Sequence, residues 1–269
     1  MIKILMISGG KEKSAQTADA SWSSLYRIGA AAALIAALVF RRNLGEAEIP
    51  MFTGLAAPSS VAGWFTLLHN NTLLGLTLLN VFDIANYALV GLMFLAVYVV
   101  LRQTNKSYTL IAATFSFLGI GVYIVSNSAL PMLSLSNQYY SATTASQRST
   151  LLAAGQAVLA NGSTLQPLYQ SAGFYLSLLL VAVAGLIMST VMLQSSIFSK
   201  ATAYIGIVAS AFDLTYLVGS VFVPQTDIYL LGLICMASAG LFVTIWHLLI
   251  GLKLYKLGWK PQVKGSANT

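Results

Sequence analysis

Six stretches of this chain, roughly residues 22–40, 72–101, 108–130, 168–194, 201–223 and 228–252, are apolar and almost free of charge. Crossing a bilayer as a helix takes about 20 such residues. Nothing else in the sequence limits the fold as strongly, because a segment surrounded by lipid has to satisfy its backbone polar groups internally. The prolines agree with this division. Pro50, Pro58, Pro131, Pro167, Pro224 and Pro261 fall between or beyond the tracts, where a missing N–H and a fixed φ do least harm. The expected fold is an all-α, polytopic membrane bundle of six transmembrane helices. The second and fourth tracts are longer than one crossing requires, so those helices should tilt or project.

Charge sets the orientation. Only 8% of the 269 residues are charged and 57% are hydrophobic, whereas a soluble domain carries about 25% charged residues. That balance excludes a cytosolic enzyme. The net charge of +7 does not point to nucleic acid, since the basic residues flank apolar tracts and form no stripe interleaved with aromatics. With the N-terminus inside, Lys3, Lys11, Lys13, Arg27, Arg102, Lys106, Lys200, Lys253, Lys256, Lys260 and Lys264 gather on the inner side. Only Arg41, Arg42 and Arg148 lie outside, as the positive-inside rule requires. Both termini are then cytoplasmic, with a tail over 1–21, the helical domain over 22–256 and a basic tail over 257–269. The first tract lacks a small-residue cleavage pattern and reads as a retained helix.

The inner connections "RQTNKS" and "SSIFSK" are short and imply tight antiparallel pairs. The outer segments 41–71 and 131–167 are long, and each is expected to hold a short amphipathic helix. One falls in "SSVAGWFTLLHNN" with Trp64 at the interface, the other in "SATTASQRSTLLAAGQAVLA". Tracts two–three and four–five share a plan, and counting back from Pro131 and Pro224 aligns Tyr123 with Tyr216. Common topology accounts for that similarity.

The runs "WFTLLHNNTLLGLTLLNVFDIANYALVGLMFLAVYVVLRQTNKS", "YIVSNSALPMLSLSNQYYSATTASQRSTLLAAGQAVLA" and "MLQSSIFSKATAYIGI" resemble an uncharacterised prokaryotic membrane-protein family of about six spans. The resemblance extends from Leu25 to about Lys256. It implies a six-helix fold and a prokaryotic inner (cell) membrane location, and it implies no activity.

Candidate functional residues are the polar groups inside the tracts. Asn80, Asp83, Tyr87, Gly91 and Tyr98 share one helical stripe, with Asn86 at its edge. Counted from Thr72, Asp83 would lie about 17 Å deep, near mid-bilayer. A central aspartate costs about 2.5–3.5 kcal/mol to insert, so it has to be paired, hydrated or protonated. In the fifth tract, Thr202, Gly206, Ala209, Ser210, Asp213, Tyr216 and Ser220 form a small-and-polar stripe suited to close helix approach. If tracts two and five adjoin, Asp83 and Asp213 could share a proton or hold a cation. Arg27 and His247 form a second candidate layer nearer the inner face. Snorkelling explains Arg27 without a ligand role, and a hydrogen-bonded interfacial role explains His247.

Several chemistries are excluded. Two histidines and the single Cys235 do not make a zinc centre. His69 and His247 fall at opposite ends of the bundle, which rules out a bis-histidine haem. No mid-helix lysine is available for a retinal Schiff base, and no phosphate-binding loop appears. No metal or cofactor is expected. The expected partners are the lipid bilayer, a lipophilic ligand or ion, and a protein partner or second copy. Three readings follow: binding or transport of a small molecule, lipid or ion through the polar layer, an accessory or scaffold subunit, and an enzyme acting on lipid. Binding or transport is preferred.

Overall fold

A computed structural model describes residues 19–46, 57–161, 172–222 and 225–259. The two tails up to residue 18 and from residue 260, with Lys3, Lys11, Lys13, Lys260 and Lys264, lie outside the described residues. So do Pro50, Pro167 and Pro224, Pro261, and the first four residues of the fourth tract.

Every regular element among the described residues is helical. A 3-10 turn at Ala20–Trp22 leads into α1 (Ser23–Glu46). There follow α2 (Val61–Asn70), α3 (Thr72–Leu78), α4 (Val81–Leu101), α5 (Lys106–Ser126), α6 (Ala129–Ser141) and α7 (Ala145–Asn161). The chain ends with α8 (Ala172–Gln194), α9 (Lys200–Phe222) and α10 (Gln225–Gly258).

Six of these close a ring. α1 packs on α4 and α10, α4 on α5, α5 on α8, α8 on α9, and α9 on α10. Across the ring α4 only brushes α8 and α10, and it stands opposite α9. Small residues allow the close approach. α1 buries Tyr26, Ala30, Ala33, Ala36 and Ala37, and Gly29 lies so near Ala96 of α4 that a Cβ there would collide with it. The interior is filled by Val90, Met93, Phe94 and Val97 of α4 with Met188 and Met192 of α8 and Trp246 and Ile250 of α10. Ile35, Leu110, Leu118, Leu179, Val218 and Leu252 are exposed on the outside of the ring. So much outward apolar surface fits lipid and not water.

Helices α4, α5 (with its continuation, Lys106–Ser141), α8, α9 and the Ile234–Gly258 part of α10 are long and apolar enough to cross a membrane. α1, apolar over Ser23–Val39, takes the sixth place in the ring. One end of the ring is basic. Arg27, Arg102, Lys106, Lys200 and Lys256 all fall there, where Arg102 pairs with Asp19 at 3.7 Å and lies over Trp22.

The other end carries a cap. Helices α2, α3, α6 and α7 build a second core from Val61, Trp64, Phe65, Leu68, Leu78, Leu79, Ala129 and Met132. The two helices expected in the long connections are present as α2 and α7, and Gly155 of α7 packs against Val61 and Phe65 of α2. α6 was not expected. Its proline, Pro131, stands in the first turn and not in a connection, where an N–H would have no helical acceptor in any case.

The second tract is not one helix. It breaks at Leu79–Asn80, where Asn80 takes up φ 59 and ψ 37. Asn80 is the one left-handed non-glycine residue among those described, and asparagine tolerates that conformation better than most. α3 belongs to the cap and α4 to the ring. Asn80 therefore does not share a helical stripe with Asp83, and Asp83 stands in the first turn of α4, not near the middle of a long span.

Candidate functional site

The helix break determines what Asp83 can do. In the first turn of α4, a carboxylate meets the positive end of the helix dipole. It also accepts a hydrogen bond, 3.0 Å from the Tyr123 hydroxyl to Asp83 Oδ2. Tyr123, buried near the cap end of α5, is in turn stacked on Tyr87 with ring centroids 3.9 Å apart and planes 7° apart. Tyr87 lies one helical turn below Asp83 on α4, so the two tyrosines form a flat double layer between α4 and α5.

A second join lies directly above. Asn127, between α5 and α6, donates from Nδ2 to the Asn80 carbonyl at 3.2 Å. Its Oδ1 accepts from the Ala129 N–H at 3.0 Å. The two chain breaks, α3/α4 and α5/α6, thus lie side by side and are tied through one side chain.

Asp213 approaches from the opposite wall. The stripe predicted on α9 faces inward: Thr202, Gly206, Ala209, Ser210 and Tyr216 are buried, and Asp213 is half-buried among them. Among the described residues Asp213 makes no hydrogen bond and no ion pair. α4 and α9 are not neighbours in the ring, and no hydrogen bond joins Asp213 to Asp83 among the described residues. Ser177 of α8 is buried, and its Oγ has no hydrogen-bond partner among the described residues. Tyr216 is buried one turn beyond Asp213, near Tyr175 of α8.

Asn86 is at the centre of the ring. It shares a face of α4 with Val90, Met93 and Val97, all buried, and is 1% exposed. Among the described residues neither its Oδ1 nor its Nδ2 has a hydrogen-bond partner. Most buried amides are paired, so this residue is an exception to be explained.

Toward the basic end, the α9 stripe does packing work. The indole of Trp246 fits the notch at Gly206, where a Cβ would run into Trp246 Nε1 and Ser189 Oγ. The Trp246 ring also meets Phe94 edge-on at 6.0 Å. His247 is buried beside Trp246, with ring centroids 5.6 Å apart.

The Arg27–His247 layer is not assembled. Arg27 Nε donates to the Gly258 carbonyl at 2.9 Å and its guanidinium lies 5.0 Å from the Trp259 ring centroid. It caps the last turn of α10 at the basic end, three turns from His247. Sequence reasoning also passed over Ser177 and Asn127 as site residues, and met Tyr123 only as a partner of Tyr216 in a repeat. The signal for Tyr123 and Asn127 was "YIVSN" running into the proline of α6, which marks a second helix break beside the first.

The arrangement can hold positive charge. It has two carboxylates, two stacked phenols and an amide unsatisfied among the described residues, while Arg27, Arg102, Lys106, Lys200 and Lys256 lie at the basic end. Residues 24–251 match the model of a family described as a domain of unknown function, DUF4386. The chain belongs to that family. No curated protein and no solved structure matches it.

Proposed function

We propose that this member of the family is a six-span prokaryotic inner-membrane protein that binds and moves a proton or small cation through the Asp83–Tyr123–Tyr87–Asp213 layer. The basic end is cytoplasmic by the positive-inside rule, and the cap faces outward. The observation that carries the reading is Asp213. A carboxylate on the inward face of a spanning helix, with no hydrogen bond and no ion pair among the described residues, is costly unless it exchanges a proton or meets a cation. Asp83 is the fixed partner, held by Tyr123 in the first turn of α4. Asp213 is the exchangeable one.

The test is flux in proteoliposomes loaded with a pH-sensitive dye, with an imposed ion gradient. Asp213→Asn should abolish flux and leave thermal stability within about 2 °C of the parent, a shift of less than about 1 kcal/mol. Tyr123→Phe should slow it by freeing Asp83. Unchanged flux in Asp213→Asn refutes the reading, as does its collapse into aggregate.

The scaffold reading retains one supporting observation, the Gly206–Trp246 contact, because that half of the α9 stripe is used up in joining helices. Nothing comparable favours an enzyme acting on lipid.

A further inference from the structure

We propose that the α1/α10 pair carries a site for one acidic phospholipid, its phosphate held by Arg27 beside Trp259 and an acyl chain laid along the outer groove of the pair. This does not depend on the proposed flux and needs only that the ring stands in a bilayer. Glycines bring the two helices together. A Cβ at Gly258 would collide with Arg27 and Ser23, and one at Gly251 with Leu34 and Ala30. Numbers rise along α1 as they fall along α10, so the pair is antiparallel. In such a pair the residue after each contact, a turn of about 100°, lies on the same side of both helices. Those residues are Ile28 and Ile35 of α1, Leu252 of α10 and Trp259 just beyond it, and all four are exposed. They border a shallow groove on the outside of the ring.

The head of this groove is built. Arg27 is exposed, yet its guanidinium is held from two directions. Nε donates to the Gly258 carbonyl at 2.9 Å, and the group lies 5.0 Å from the Trp259 ring centroid. Trp259 is stacked in turn on Tyr255, with centroids 4.4 Å apart. With Nε engaged, the fork offers a phosphate its Nη groups, and the indole N–H and phenol O–H bring further donors to the same level. Snorkelling accounts for an arginine that reaches water. It does not account for one fixed between a helix end and an aromatic pair.

The occupant follows from the two halves together. From Arg27 to Ile35 the groove runs about 12 Å along α1, a length of hydrocarbon chain. A free phosphate would leave that stretch uncovered, and an uncharged lipid would leave Arg27 unmatched. Arg102, Lys106, Lys200 and Lys256 fall at the same end of the ring, so the local field favours a headgroup of net negative charge over a zwitterionic one.

The experiment uses the full chain purified in detergent and supplied with phosphatidylglycerol and phosphatidylcholine of distinguishable mass. Native mass spectrometry counts the lipid retained. One phosphatidylglycerol should be held in preference to phosphatidylcholine. Arg27→Gln should need about tenfold more lipid for the same occupancy, a loss of about 1.4 kcal/mol. Trp259→Ala leaves the Arg27–Gly258 bond in place and should lose affinity several-fold, which keeps the test open if Arg27→Gln fails to fold. Lys256→Gln removes the same charge about 200° round α10 from the Gly258 contact, and should bind as the parent does. Equal losses in Lys256→Gln and Arg27→Gln would mean a diffuse attraction to the basic end and overturn the site. Equal retention of the two lipids overturns it as well. Displacement of phosphatidylglycerol by inorganic phosphate would identify a free-anion site and overturn the lipid as occupant.

Discussion

Replacing Asn86 by leucine should remove a buried polar group at almost no net cost in stability. In the folded ring the side chain is 1% exposed with both amide atoms unpartnered among the described residues. Such a group costs about 1–3 kcal/mol in lost solvation. Leucine has the same branched skeleton with bulkier ends, and would join Val90, Met93 and Val97 on the same face of α4. Fitting the larger side chain costs about 1–3 kcal/mol. The two terms nearly cancel, so the melting temperature should move by no more than about 4 °C. The assay is the melting temperature of detergent-purified protein in choline chloride, read by the loss of the monodisperse peak on size exclusion after heating. A fall of several degrees would refute the reasoning: the amide would then be satisfied in the folded protein, and the centre of the ring would be closed.

Three further outcomes follow from the packing and the caps. Gly206→Ala should destabilise by about 1–3 kcal/mol, because the new Cβ meets Trp246 and Ser189 and the indole is wedged against Phe94; a changed Trp246 fluorescence should accompany the lower melting temperature, and an unchanged melt would show the notch to be loose. Asn80→Gly should be tolerated while Asn80→Val costs about 1–2 kcal/mol, since only the left-handed region is at issue; equal melts for the two would mean that the break is not held at φ 59. At the basic end, the Ser21 side chain and backbone hydrogen-bond the Asp19 carboxyl and hold its pKa below its ordinary value. A depressed carboxyl contributes stability that is complete above the ordinary value of 3.8 and is lost as the pH falls through the lower folded one. Titration of Asp19 by NMR should show this depression, and Ser21→Ala should reduce it.

The helical class was legible because lipid removes the alternatives. Long uncharged tracts permit few structures, and five of the expected six reach spanning length and hydropathy, with α1 in the sixth position. The inward stripe of α9 was legible for the same reason, since Gly206, Ala209 and Ser210 recur at helical spacing. What could not be read was the break at Asn80. The run "TLLGLTLLNVFDIAN" carries its polar residues singly among apolar ones, and nothing in its hydropathy separates a residue that packs into the cap from one that enters the ring. The cap has its own hydrophobic core, so α2 and α3 are as apolar as spans without the length. Pro131 misled in a similar way: proline marks the end of one helix and the first turn of the next equally well.

That break is also what makes the two aspartates different. Had the second tract been one helix, Asp83 would be a mid-span carboxylate like Asp213, and the pair would be interchangeable. By restarting the helix at Val81, the chain gives Asp83 a first-turn position and a Tyr123 hydroxyl to accept from, while Asp213 stands within a continuous helix with no such support. The Asn127 side chain ties the α3/α4 and α5/α6 breaks together just above, and Tyr87, stacked on Tyr123, extends that join one turn further along α4, so the support around Asp83 comes from two helix breaks and one stacked pair while Asp213 has none of these.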